Sequence, residues 1–275
     1  MAHPRQLKAM RLLEVVNGEF RFTQDLVSDI PRYAILSHTW GADTEEVTFH
    51  DLIDSTGQHK LGWEKIKFCA EQARRDCLRY FWIDTCCIDK SNLNELSTAI
   101  NSMFRWYQNA ARCYVYLTGI SAIDPNASQL SEAALQSAFK THRWFTRGWT
   151  LQELLAPASV EFFTQDGHRL GDKTSLEHQI HEITGIAFPA LRGSLLFDFN
   201  INERFKWAET RQTKLEEDWV YCLFGIFGVF MPPIYGEGKA HALRRLMKEI
   251  NSSVGQERTP EPKGGTQAQP RSMRS

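Results

Sequence analysis

The sequence lacks most of the signatures that assign a chemistry outright. It has no Gly-x-Gly-x-x-Gly and no Gly-x-x-x-x-Gly-Lys-Ser/Thr, so a Rossmann cofactor or P-loop site has no support; Gly236-Glu237-Gly238 is too short to count. The six cysteines, Cys69, Cys77, Cys86, Cys87, Cys113 and Cys222, form no Cys-x-x-Cys pair, which argues against a zinc ribbon. Most lie inside apolar runs, as reduced core thiols do, and this predicts a reducing, cytoplasmic setting. No run approaches about 18 apolar residues, so no membrane span is expected. Met1 to Arg11 carries charges and Pro4 but no apolar stretch, so no signal peptide is read there. Net charge is also missing: 32 Lys and Arg against 33 Asp and Glu leave −1, which argues against nucleic acid or acidic lipid as partner.

What remains is the composition of an ordinary globular chain. Its 275 residues fit one large domain or two small ones, 42% are hydrophobic, and a core of that size needs no disulfides. Asn17-Gly18 between apolar runs predicts a hairpin over Arg11–Val16 and Glu19–Thr23. Tyr33–Ser37 is a continuous apolar run of strand length, as in a strand buried on both faces; Tyr80–Ile83 reads as a second buried strand, and Cys113–Leu117 and Ser159–Phe163 as a third and fourth. Between the first three lie helical patterns: Trp63, Ile66, Ala70, Ala73 and Cys77, then Leu96, Ala99, Ile100, Met103, Phe104 and Tyr107 after a cap at Ser91 or Asn92. Strand–helix alternation predicts an α/β fold with a mainly parallel sheet flanked by helices. Ile120 to Ser137 is small and polar and reads as a loop. Thr174-Ser175-Leu176-Glu177 has the form of a capping box opening a helix that Gly185 closes. Further helices are predicted over Asn202–Gln212, Asp218–Phe227 and Lys239–Ile250, with Met231–Gly238 as a loop. From Asn251 onward apolar residues nearly vanish, which predicts a disordered tail over 251–275.

The densest stretch runs from Arg143 to Pro157, with Arg143, Trp144, Arg147, Trp149 and Glu153 close together. Trp149 and Glu153 are four apart and share a face of any helix there. A carboxylate beside an aromatic is desolvated, which raises its pKa and suits it to chemistry. The plain alternative is a core Trp with a half-buried Glu. In that case Glu153→Gln would leave stability nearly unchanged, and Trp149→Ala would cost about 3–5 kcal/mol. Two more polar clusters follow strands, His38–Thr44 and Asp84–Asp89, and loops at the carboxyl ends of such strands bind ligands. Asp84 can equally be a turn former. Cys86, His38 and Asp84 also have the residue types of a thiol hydrolase, but Cys86 has no helix N-terminus or glycine elbow beside it to activate it. His178 and His181, three apart, lack a third ligand and read as a solvated face rather than a metal site.

Five blocks carry a family resemblance: Tyr33–Gly41, Tyr80–Lys90, Trp106–Ala111, Arg143–Pro157 and Tyr221–Gly238. They resemble the fungal heterokaryon-incompatibility (HET) domain over roughly residues 11–250. The resemblance implies an executioner of cell death in fungal self/non-self recognition, a domain often placed at the N-terminus of larger receptors. A receptor-type partner and a homo-oligomer are the partners it implies. HET domains are in turn similar to TIR domains. That likeness implies a TIR-like core over about 30–165 and a helical C-terminal extension over about 170–250. Thr39 to Phe49 resembles the loop after the first TIR strand, and Arg147–Leu154 resembles the helix carrying the glutamate of NAD-cleaving members. On that likeness Glu153 is the catalytic carboxylate and NAD+ the substrate, with no resident cofactor or metal. The substrate-binding set is then Ser37, His38, Trp40, Asp84, Cys86, Arg143, Trp144, Arg147 and Trp149. An indole would stack on a ring, and Arg143 or Arg147 would pair with the pyrophosphate.

Overall fold

A computed structural model describes residues 10–122 and 131–256. The strands are β1 (Leu13–Val16), β2 (Glu19–Phe22), β3 (Tyr33–His38), β4 (Tyr80–Trp82), β5 (Arg112–Leu117), β6 (Val160–Thr164) and β7 (Arg169–Asp172). They form one sheet in the order β2-β1-β4-β3-β5-β6-β7. The centre is parallel: β4, β3, β5 and β6 run together, with Ile35 opposite both Trp82 and Cys113. All six residues of β3 are buried, which explains why that strand reads as an unbroken apolar run.

The edges depart from the parallel expectation. The predicted hairpin forms, with Asn17 and Gly18 both at positive φ, and then docks β1 antiparallel on β4. At the other edge the Asp166-Gly167 turn sends the chain back as β7, antiparallel to β6. Arg169-Leu170-Gly171-Asp172 has no alternating apolar pattern, so this strand is invisible in the sequence. The sheet is therefore mixed, parallel inside and antiparallel at both margins.

The helices are α1 (Phe49–Ile53), α2 (Gly62–Arg75), α3 (Leu93–Asn109), α4 (Glu132–Thr141), α5 (Thr150–Leu155), α6 (Glu177–Thr184), α7 (Phe188–Leu191), α8 (Ile201–Glu209), α9 (Asp218–Tyr221), α10 (Phe224–Phe227) and α11 (Lys239–Gln256). Asn92 caps α3, accepting from the backbone N–H of Asn94 and Glu95. Four expectations need correction. Part of the expected loop before Ser137 is helical, because Ser131 caps α4; residues 123–130 lie outside the described residues. The capping box before α6 does not form: Thr174 and Ser175 turn their N–H groups to the Asp172 carboxylate, and α6 starts without a side-chain cap. The helix expected over Asp218–Phe227 breaks into α9 and α10. Finally α11 runs six residues beyond Ile250, so the expected tail is helical to Gln256; residues 257–275 lie outside the described residues.

The C-terminal helices do not form a separate layer. One core cluster runs from Met10 to Ile250, and it includes Trp144, Phe162, Tyr221 and Leu246. Contact is closest at α10, where a Cβ on Gly225 would come within 2.1 Å of the Phe104 Cβ. Among the described residues no helix is long and apolar enough to cross a membrane.

Candidate active site

The carboxyl ends of β3 and β4 open into a cavity of about 610 Å³. Its lining comes from four parts of the chain. His38, Trp40, Asp43 and Glu46 follow β3; Asp84 and Lys90 follow β4; Arg147, Trp149 and Glu153 belong to α5 and the turn before it; Lys214, Asp218 and Tyr235 come from the C-terminal half. Asp43 and Lys214 form an ion pair at the cavity, tying the first part to the last.

The segment that delivers Glu153 is anchored from both sides. Arg147 forms a β-bridge with Gln212, and the Gly148 N–H donates to the Gln212 carbonyl at 2.9 Å. Only glycine fits at 148, because a Cβ there would lie 2.5 Å from the Thr213 methyl. Buried Arg211 donates to the Arg147 carbonyl and to the Thr150 hydroxyl, and burial pulls its pKa down to about 10. The short helix α5 ends before Pro157, and buried Lys173 donates to the carbonyls of Leu154 and Pro157 that its last turn leaves open.

Glu153 itself is only 5% exposed, so it is not the half-buried surface residue that its helical position alone implied. Its Oε2 accepts from the Ser37 hydroxyl at 2.5 Å, and the Ser37 oxygen accepts from the Trp144 indole N–H at 2.8 Å. The three residues form a chain spanning 116 positions of sequence. Burial, and then the nearby Asp84 charge, push the Glu153 carboxyl up to about 8; hydrogen bonds from Ser37 and Tyr107 and the charge of Arg147 offset only part of this. At pH 7 Glu153 is therefore mostly protonated.

His38, Asp84 and Glu46 form the second polar group. The His38 Nε2 lies 3.8 Å from Asp84 and 3.9 Å from Glu46, both beyond hydrogen-bond distance. The His38 Nε2 and the Asp84 Oδ1 are buried without partners. Burial, followed by the charges of Lys65, Lys90 and Arg143, holds His38 well below its usual range, so its ring is neutral. Burial raises Asp84, with Lys90 and the Trp40 N–H (2.9 Å from Oδ2) opposing. Glu46 is committed to buried Lys65 and to the Gly41 N–H.

The structure thus brings His38, Trp40, Asp84, Arg147, Trp149 and Glu153 to one cavity. It places the other sequence candidates elsewhere. Ser37 and Trp144 sit behind Glu153 and hold it, and fully buried Trp144 is the core indole whereas Trp149 is half-buried at the cavity. Exposed Arg143 donates to the Trp40 carbonyl and does not line the cavity. Cys86 is fully buried off the cavity, and burial pushes its thiol far above the range of a nucleophile, which corrects its expected role in substrate binding and ends the thiol-hydrolase reading. His178 and His181 pack on Phe188, and no metal-ligand cluster exists among the described residues. Lys214, Asp218 and Tyr235 were missed, since no local motif marks them; the apolar-to-loop transition at Met231–Gly238 was the sole hint.

Comparison with known proteins supplies the class. The family model for heterokaryon incompatibility protein (HET) matches residues 33–136. The chain belongs to the HET domain family. It is similar to vegetative incompatibility protein HET-E-1 of Podospora anserina, with 56% identity over 248 residues that make up 90% of this chain. The chain spans only 18% of that relative's length. No solved structure matches it.

Proposed function

We propose that this HET domain is a cell-death effector of fungal self/non-self recognition, and that it acts by cleaving NAD+ at Glu153. The incompatibility role draws on the relative named above, and the NAD+ reading on the likeness of residues 39–49 and 147–154 to TIR domains. One observation supports the chemistry most: a buried carboxyl, backed by the Ser37–Trp144 chain, at the wall of an indole-lined cavity.

The reaction breaks the bond from ribose C1′ to the nicotinamide nitrogen. Nicotinamide leaves as a neutral base, so no general acid is needed. The ribose becomes oxocarbenium-like, and an adjacent carboxylate stabilises that charge until water adds and loses its proton. NAD+ carries a positive nicotinamide ring. A positive charge beside Glu153 favours the ionised carboxylate that burial disfavours. Trp40 and Trp149 offer faces for stacking, and Arg147 offers a fork for phosphate.

The test is purified protein incubated with NAD+, with nicotinamide followed by chromatography over hours. Wild type should release it, and Glu153→Gln should be slower by about 10²–10³, the scale of losing one electrostatic stabiliser. A second reading, a non-enzymatic module acting by self-association, draws on Leu195 and Phe197, each 70% exposed. A Glu153→Gln protein that kills fungal cells as well as its parent would transfer the function to that reading.

A further inference from the structure

The cavity holds two cations without an ion-pair partner among the described residues. Lys90 is the first. Its Nζ lies 3.7 Å from the centroid of the Trp40 ring and faces the cavity. Glu46 pairs with Lys65, Asp43 with Lys214 and Asp89 with Ser91; Asp84 accepts from the Trp40 N–H through Oδ2, and its buried Oδ1 makes no hydrogen bond to Lys90. Arg147 is the second, half-buried on the turn before α5.

An ammonium carries three donors, and a desolvated one without an acceptor raises the energy of the empty protein. Burial accordingly lowers the Lys90 pKa, with the charges of Asp84, Glu46 and Asp43 opposing. A structural lysine would pair with one of the local carboxylates. Here the indole beneath it is instead held by Asp84 through its N–H, and Arg143 donates to the Trp40 backbone carbonyl. The arrangement presents a fixed positive point at the wall of the cavity. That is the requirement for taking up an anion from water.

We propose that Lys90, with Arg147 in the same cavity, forms an anion subsite for the diphosphate bridge of a dinucleotide substrate. The identity of the ligand rests on the NAD+ reading; the anion subsite rests on the two unpaired cations. Lys90 supplies a compact charge and Arg147 a planar fork to the same cavity. Lys90 is a specificity-determining residue in this account and has no part in bond breaking.

The experiment is calorimetric titration of wild type, Lys90→Met and Lys90→Arg with ADP-ribose, ADP and adenosine. Wild type should bind ADP-ribose and ADP more tightly than adenosine, with an affinity that falls as salt rises. Lys90→Met should lose about tenfold or more on both diphosphates and leave adenosine unchanged; Lys90→Arg should keep most of the affinity. The melting temperature of Lys90→Met should not fall, since the substitution removes a desolvated, unpaired charge. A Lys90→Met protein that binds ADP-ribose like wild type would overturn the proposal, as would equal loss on adenosine or a wild type that does not distinguish diphosphate from nucleoside. Diphosphate binding that depends on Lys90 without any release of nicotinamide would keep the subsite and end the hydrolytic reading. NAD+ turnover with an unchanged KM in Lys90→Met would do the reverse.

Discussion

Glu153→Gln should stabilise this protein, by an amount that grows with pH. Gln is the neutral isostere of the protonated carboxyl, and its carbonyl can still accept from Ser37. The folded protein holds Glu153 up to about 8, against 4.5 for the free side chain. Below the lower value both states of the wild type are protonated, and the group contributes nothing to pH dependence. Between the two values the unfolded chain has lost the proton and the folded chain keeps it. Stability then falls as pH rises, by about 1.4 kcal/mol per unit. The loss reaches about 3 kcal/mol at pH 7 and about 5 kcal/mol above pH 8, where it levels off. Gln does not titrate and escapes all of it. Urea unfolding of both proteins at pH 5, 7 and 9 measures the difference directly. At pH 5 the variant should lead by only about 1 kcal/mol or less. At pH 7 the variant should lead by about 3 kcal/mol, or roughly 6–12 °C in melting temperature. Parallel stability at all three pH values would refute the reasoning, since Glu153 would then ionise as freely folded as unfolded. This outcome reverses the expectation from helical position alone, that the substitution leaves stability nearly unchanged.

Three further outcomes follow from the same geometry. Trp144→Ala should cost about 3–5 kcal/mol by urea unfolding, because its ring is fully buried, while half-buried Trp149→Ala should cost clearly less and should weaken ligand binding instead. Lys65→Met leaves Glu46 as a buried unpaired charge and should cost about 3–5 kcal/mol; the double variant with Glu46→Gln should recover much of that, and a double-mutant cycle checks it. For NAD+ cleavage, kcat/KM should rise with pH up to about 8 and level off above it, since the ionised Glu153 of the free protein is the active form; a rate profile flat from pH 6 to 9 would contradict this.

Much of the layout was legible because it is written in local patterns. Tyr33–His38 and Cys113–Leu117 are buried on both faces, so most residues are apolar and the strands stand out. Asn17-Gly18 and Gly185 sit at positive φ, where their residue types are favoured, so the first turn and the end of α6 could be placed. Segments without such a pattern were lost. Arg169–Asp172 became a strand only because β6 offered an edge, and the expected cap at Thr174 was drawn into the turn at Asp172, whose carboxylate accepts from the Thr174 and Ser175 N–H groups.

The sequence by itself determined the central strands, the helices between them, and the gathering of polar residues after each strand, because propensity and hydrophobic period act over a few residues. Tertiary structure alone decided what those polar residues became. Whether Glu153 is a surface carboxylate or a buried acid depends on Ser37, 116 positions away, and on Trp144 behind it. Cys86, one position after Thr85 at the cavity, turned into the core, and Lys90 was left without a counter-ion because Glu46 and Asp43 found Lys65 and Lys214. Desolvation and ion pairing depend on which atoms fill the surrounding few ångströms, and the fold brings those atoms together from distant parts of the chain.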